Sequence, residues 1–200
     1  MVATTIHLIR HASYDLLGRV LAGRAPGHSL NPAGRAEAAQ VATTLRNRPL
    51  AAILSSPIER ARETARLIAA PHGLDVLTEP ALTEIDFGAW TGKTFQELNE
   101  APGWAAFNTF RGTAPTPGGE TMLAAQARAV AALARLAACY PGAELAAVSH
   151  GDIIKAIIAH ALGAPLDLFH RLTIDPASRS VVALAESDAR VLAVNLPPWA

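Results

Sequence analysis

The sequence predicts an α/β fold: a single three-layer domain spanning residues 1–200, with a mixed, mostly parallel sheet flanked by helices. Three observations predict it. Short apolar runs alternate with stretches whose apolar residues recur at helical spacing. The helical stretches are bounded by capping residues, prolines and glycines. Two of the apolar runs end directly on a histidine, which places polar chemistry at strand ends.

Taken in order, Thr5 to Ile9 reads as the first strand, ending in Arg10-His11. Asn31-Pro32 supplies an N-cap and a proline at the first helical position, and Ala38, Val41, Ala42 and Leu45 follow on one face until Pro49. Ala51 to Leu54 is a second buried strand. Ser56-Pro57-Ile58-Glu59 has the form of a capping box, predicting a helix that carries Ala61, Ala65 and Ile68 and stops at Pro71-His72-Gly73. Asp75 to Thr78 predicts a short third strand, and Glu120 to Tyr140 a long helix stopped by Pro141-Gly142. Leu145 to Ser149 is another strand, which His150-Gly151-Asp152 turns into a helix ending at Gly163. Ser180 to Ala185 and Val191 to Leu196 are the closing strands, separated by the polar turn Glu186-Ser187-Asp188.

The stretch from Glu84 to Gly119 lacks that periodicity. It holds Phe87, Phe95, Phe107, Phe110, Trp90 and Trp104 among scattered glycines and prolines, and predicts an aromatic-rich excursion over the sheet's edge. Taken alone, it reads first as a small satellite core.

Composition narrows the function. The 17 basic and 17 acidic residues balance, which favours neither nucleic acid nor an anionic membrane as a partner. The single cysteine, Cys139, cannot form an internal disulfide, and the first residues lack the basic and apolar regions of a signal peptide. The most apolar tract, Met122 to Cys139, is broken by Arg128 and Arg135. The expectation is a cytoplasmic protein, with a homodimer through a sheet edge or apolar helix face compatible with the pattern. No His-Glu-x-x-His, cysteine pair, Asp-rich loop or Gly-x-x-x-x-Gly-Lys occurs, so no metal and no cofactor are expected.

His11 and His150 both follow buried strand patterns, and Arg60 falls in the first turn after the second strand. Two arginines, Arg10 and Arg60, with two histidines at one sheet edge suit a dianion, because guanidinium forks match phosphate oxygens and helix N-termini add N–H groups. Each residue alone has a plainer reading. Arg60 could pair with Glu59 or Glu63 on its own helix, and Glu84 could be a solvated carboxylate. Their joint placement at strand ends carries the weight.

In that order the residues resemble a family. Leu8-Ile9-Arg10-His11-Ala12 is similar to the Arg-His-Gly signature of the histidine phosphatase superfamily, also called the phosphoglycerate mutase-like family. Leu30 to Ala38, Ser55 to Ala65, Leu82 to Gly92, Pro117-Gly118-Gly119-Glu120 and Val148-Ser149-His150-Gly151 resemble its later motifs in sequence, over nearly the whole chain. The resemblance implies a phosphoglycerate mutase-like strand arrangement and specific roles. His11 would attack phosphorus; Arg10, Arg60 and His150 would hold the phosphoryl oxygens; Glu84 would protonate the leaving oxygen and then assist water. The nucleophilic imidazole must be neutral, with the proton on its other nitrogen given to an acceptor such as a backbone carbonyl.

The chain departs from the family pattern at Ala12, where glycine is usual, and at Tyr14 and Leu17, where a small hydroxyl residue and an asparagine are common. Substrate contacts are expected from Ser13, Arg24, Phe87 and Gly151. The expected activity is hydrolysis of a small phosphorylated metabolite, since the segment between Glu84 and His150 is short for a mutase. A phosphoglycerate mutase and a non-catalytic phosphate-binding module are the alternatives, and a metal-assisted hydrolase stands further back.

Overall fold

The computed structural model describes residues 2–186 and 188–200. Met1 and Ser187, the latter in the expected turn between the last two strands, lie outside the described residues. Six strands form one mixed sheet: β1 (Thr4–Arg10), β2 (Leu50–Ser55), β3 (Val76–Thr78), β4 (Glu144–Ser149), β5 (Arg179–Leu184) and β6 (Ala189–Leu196), in the order β3-β2-β4-β1-β5-β6. The first four neighbours pair in parallel, and β5 runs antiparallel to both β1 and β6.

Side-chain alternation along the strands divides the core into two layers. Ile9, Ile53, Ala146 and Val148 face α1 (Pro32–Leu45) and α2 (Glu59–Ala69). Ile6, Leu8, Leu54, Leu145 and Ala147 face the other side, against α5 (Met122–Cys139) and α6 (Gly151–Ala161). The sheet is therefore covered on both faces, as parallel strands of continuous apolar sequence require. α5 is 18 residues long with mean hydropathy 1.3, which would suit a membrane span by length and composition. Here its buried face, with Ala125, Ala129, Ala132 and Leu133, packs into the core. Arg128 and Arg135 pair with Glu120 and Glu79.

Two expectations change. Ser56 does not cap α2: the N-cap position is Ile58, with no side-chain cap, and Glu59 reaches out to the N–H groups of Gly27 and His28. The excursion is also no satellite. Phe87, Trp90, Leu98 and Phe107 belong to the same contiguous cluster as Ile6 and Leu8, with Trp90 meeting Trp104 edge-on at 5.3 Å. Its short helices, α3 (Phe95–Asn99) and α4 (Trp104–Thr109), carry too few turns for a strong periodic signal. Phe95 and Phe110 stay exposed.

Candidate active site

Three adjacent parallel strands, β2, β4 and β1, end side by side. The N–H of His11 donates to the carbonyl of Ser149 at 2.9 Å, and that of Ser56 to Val148 at 2.9 Å. Sheet pairing thus carries one residue past each strand end and sets His11, Ser56 and His150 in a row. Arg60 joins them because α2 starts at Glu59 and turns its second residue into the gap.

The result is a buried polar cluster. His11, Arg60 and His150 are 3 %, 2 % and 0 % exposed. His11 Nδ1 donates to the carbonyl of Ala12 at 2.9 Å, so a neutral ring carries its lone pair on Nε2. Arg60 Nε donates to that Nε2 at 3.1 Å, and Arg60 Nη2 lies 3.4 Å from His150 Nδ1. His150 Nε2 pairs with the Ser56 hydroxyl at 2.8 Å. Burial, then the charges of Arg60 and Arg10 on His11, or of Arg60, His11 and Arg10 on His150, hold both imidazoles well below the ordinary histidine pKa. Both rings are neutral at pH 7.

Arg60 has no carboxylate partner among the described residues. Glu59 is engaged by the Gly27–His28 main chain and Glu63 by the N–H of Leu30, so the same-helix pairing does not form. Arg60 Nη2 donates to the carbonyl of Gly23 at 2.7 Å, while its Nη1 is buried without an acceptor. Arg10 Nη1 donates to the carbonyl of Ile174 at 2.6 Å, and its Nε is buried without an acceptor too. Two desolvated guanidinium groups with unmatched donors form a site for an anion. Gly151, the first residue of α6, lies against Arg10; a Cβ there would sit 3.4 Å from the guanidinium carbon.

Glu84 is partly buried on the loop that opens the excursion, and its Oε1 accepts from the N–H of Ile85 at 3.0 Å. Burial, with the nearby charge of Asp152, raises its pKa to about 7 against the opposing pull of the Ile85 N–H, Arg60 and Arg10. A carboxyl whose charge is felt by both guanidinium groups can exist as an acid near neutrality.

The other expected contacts have different partners. Ser13 gives its hydroxyl and N–H to Glu37, at 2.8 and 2.9 Å. Phe87 is 2 % exposed and packs on Phe107 within the core. Arg24 donates to the carbonyl of Glu84 and pairs with Glu120. Sequence reading missed three residues around the two histidines. Tyr14 lies edge-on to the imidazole at 5.6 Å, with Arg60 5.3 Å from its ring centre. Thr64 accepts from the N–H of Ala12 at 3.0 Å and donates to the carbonyl of Arg60. Ser56 faces His150. Thr64, one turn after Arg60 on the same helix face, was the findable one. Ala12 keeps an ordinary negative φ and its methyl is fully buried, so alanine in place of the usual glycine strains no backbone there.

The family model for the histidine phosphatase superfamily (branch 1) matches residues 6–197. The chain belongs to that superfamily. It is 36 % identical over 197 residues to the bifunctional protein Rv2228c of Mycobacterium tuberculosis, covering 96 % of this chain and 54 % of that protein. The chain thus spans about half the length of this curated relative. It is 30 % identical to the probable phosphoglycerate mutase GpmB of an Enterobacter species, over 91 % of this chain and 86 % of that protein. Among solved structures, it superposes on the mycobacterial glucosyl-3-phosphoglycerate phosphatase Rv2419c with a TM-score of 0.87. That match is at 28 % identity and covers 97 % of this chain and 99 % of that one. The expected phosphoglycerate mutase-like fold is borne out.

Proposed function

We propose that this histidine phosphatase is a cytoplasmic, metal-independent phosphomonoesterase acting on a small phosphorylated metabolite through a phosphohistidine at His11. One observation carries the reading: a neutral, buried imidazole whose Nε2 meets Arg60 Nε at 3.1 Å, in a cluster where Arg60 Nη1 and Arg10 Nε are buried without acceptors, with a carboxyl of pKa about 7 within reach of the same charges.

The chemistry follows from those positions. Arg60 Nε gives up its hydrogen bond to His11 Nε2 for a phosphoryl oxygen, so Arg10 and Arg60 neutralise those oxygens beside the ring of His150 and the Nε2 lone pair is freed, while the start of α6 at Gly151 adds N–H groups. His11 Nε2 attacks phosphorus as the ester P–O bond breaks, and the Glu84 carboxyl passes its proton to the departing oxygen. The Ala12 carbonyl, accepting from Nδ1–H, stabilises the positive charge that the imidazole gains. Water then attacks phosphorus and gives a proton to the Glu84 carboxylate. The N–P bond breaks, phosphate leaves, and His11 returns neutral. The positive charge comes from side chains, in keeping with phosphoryl transfer as a problem of positioning and electrostatics.

The likeness to a probable phosphoglycerate mutase supports a second reading, in which a hydroxyl of the bound acid replaces water. One assay separates the two. Phosphate release from an aryl phosphate and a metabolite panel is measured in EDTA, with isomerisation of 3-phosphoglycerate in parallel. Net release that falls by at least about 1,000-fold in His11→Ala is the expected result. Isomerisation without release makes the protein a mutase; loss of activity in EDTA overturns metal independence. Phosphate binding without turnover of any substrate would leave a binding module.

A further inference from the structure

Glu84 sits on a segment with no strand or helix of its own, and its main chain is held from three sides. Arg24 Nε donates to the Glu84 carbonyl at 2.8 Å, and Arg128 Nη2 donates to the same oxygen at 3.2 Å. Glu120 bridges the two arginines: its Oε1 lies 2.7 Å from Arg24 Nη2 and 2.6 Å from Arg128 Nη2. The same Oε1 accepts from the N–H of Asp86 at 3.1 Å. Burial pushes the Glu120 carboxyl up, but Arg128, the Asp86 N–H and Arg24 hold it below its ordinary pKa, so it stays ionised.

Backbone packing sharpens the arrangement. A Cβ on Gly88 would overlap the carbonyl of Pro117, and one on Gly119 the carbonyl of Asp86. The Pro117-Gly118-Gly119-Glu120 motif therefore presses its main chain onto Asp86–Gly88 and delivers Glu120 to the arginines. On the other side, Arg24 follows Gly23, whose carbonyl accepts from Arg60 at 2.7 Å. One dipeptide thus touches the phosphate cradle through its backbone and the Glu84 peptide through its side chain.

We propose that Arg24, Glu120 and Arg128 are positioning residues: an Arg-Glu-Arg clamp that fixes the Glu84 carboxyl relative to the Arg60 cradle. The inference rests on Glu84 as the proton donor. None of the three needs to touch the substrate; they act through the Glu84 main chain. A donor displaced by about 1 Å loses much of its effect on the leaving oxygen while the cradle still binds phosphate.

The leaving group reads this out. An alkyl phosphate needs the proton, whereas a dinitrophenyl phosphate leaves readily as the anion. Arg24→Ala is expected to lower kcat/KM, which reports the transfer to His11 and not the later attack of water, about 10- to 100-fold on the alkyl ester and by less than about 3-fold on the dinitrophenyl ester. Glu120→Gln keeps the shape and loses the bridging charge; it should give the same signature, and the double variant should be no worse than the more damaged single one. Equal losses on both esters would overturn the clamp. Glu84→Gln run alongside distinguishes the failures. If it shows the leaving-group signature and the clamp variants do not, only the clamp is wrong. If it shows none, the proton donor is misassigned and the clamp falls with it. Should Arg24→Ala fold poorly by circular dichroism, Glu120→Gln alone decides.

Discussion

The two halves of the site are held by different means. On the nucleophile side, His11, Ser56 and His150 ride on the ends of three hydrogen-bonded parallel strands, and Arg60 on the first turn of a helix packed across them. On the acid side, Glu84 has no such support; ion pairs and close glycine contacts from residues far along the chain hold its loop. A sheet end is positioned by the core, so it moves only when the core moves. A clamped loop depends on a few side chains and on ionic strength. The two sides should therefore break differently.

The largest expected effect is on the cradle. Arg60 is desolvated and lacks a carboxylate partner among the described residues, and burial lowers its pKa despite the nearby Glu84 charge. Keeping such a cation in the core costs stability that function requires. Arg60→Met should abolish activity, by at least about 1,000-fold, yet leave Tm unchanged or raise it. Inorganic phosphate should raise the Tm of the wild type and not that of the variant. A large fall in Tm would mean that Arg60 is held chiefly for structure.

Next come two glycines, one on each side. A Cβ on Gly34 would run into the carbonyl of Ser13, where α1 braces the loop after His11; Gly119 braces the Asp86 main chain. Overpacking of this kind costs about 1–3 kcal/mol. Gly34→Ala should reduce turnover of every substrate, since it shifts the nucleophile loop. Gly119→Ala should spare dinitrophenyl phosphate relative to an alkyl ester. Denaturant melts together with kinetics on both esters test the pair, and identical substrate profiles would erase the distinction.

pH gives a smaller effect and a sign. Glu84 must be protonated to act as an acid, so kcat/KM on an alkyl ester should fall as pH rises above about 7. Asp152 carries the like charge that helps hold that pKa up, while pairing with Arg111 at 3.2 Å. Asp152→Asn should move the alkaline limb to lower pH by less than about one unit. For stability, the folded state binds more protons than the unfolded chain between the ordinary 4.5 and about 7, so this carboxyl lowers stability as pH rises through that window. The Tm advantage of Glu84→Gln should grow from pH 4.5 to 7 and then level off. An advantage that shrinks across that range would contradict the raised pKa.

The same division explains what could be read from the sequence. Arg10, His11, Arg60 and His150 follow apolar runs or a helix start, so local periodicity located them, and parallel pairing brought them together. Glu84 stood out through the family motif alone, because nothing in its own neighbourhood orders it. Ser13, Arg24 and Phe87 are near the site in sequence motifs, but their side chains are taken up by Glu37, by the Glu84 and Glu120 clamp, and by the Phe107 core. Partners 20 to 96 positions away leave no local trace. The Ser56 motif likewise matched a capping box by spacing, yet its hydroxyl was drawn to His150, a residue 94 positions on.

The smallest effect tests how far the main-chain support of the nucleophile extends. Ala177 is fully buried with φ 54, a left-handed conformation for a residue with a Cβ. Its N–H donates to the carbonyl of His11 at 3.3 Å, and the next carbonyl, of Ser178, accepts from the N–H of Arg10 at 3.1 Å. The turn is thus strained where it braces Arg10-His11. Glycine would relieve about 1–2 kcal/mol of that strain. It would also give up a buried methyl worth about 0.8 kcal/mol and free the unfolded chain. These terms nearly cancel, so Ala177→Gly should shift stability by less than about 1 kcal/mol and leave kcat within about 2-fold. Ala177→Val, whose branched side chain resists this conformation, should lower both Tm and kcat on all esters alike. A valine variant with normal kcat would show that the sheet alone holds His11 and that the turn merely follows it.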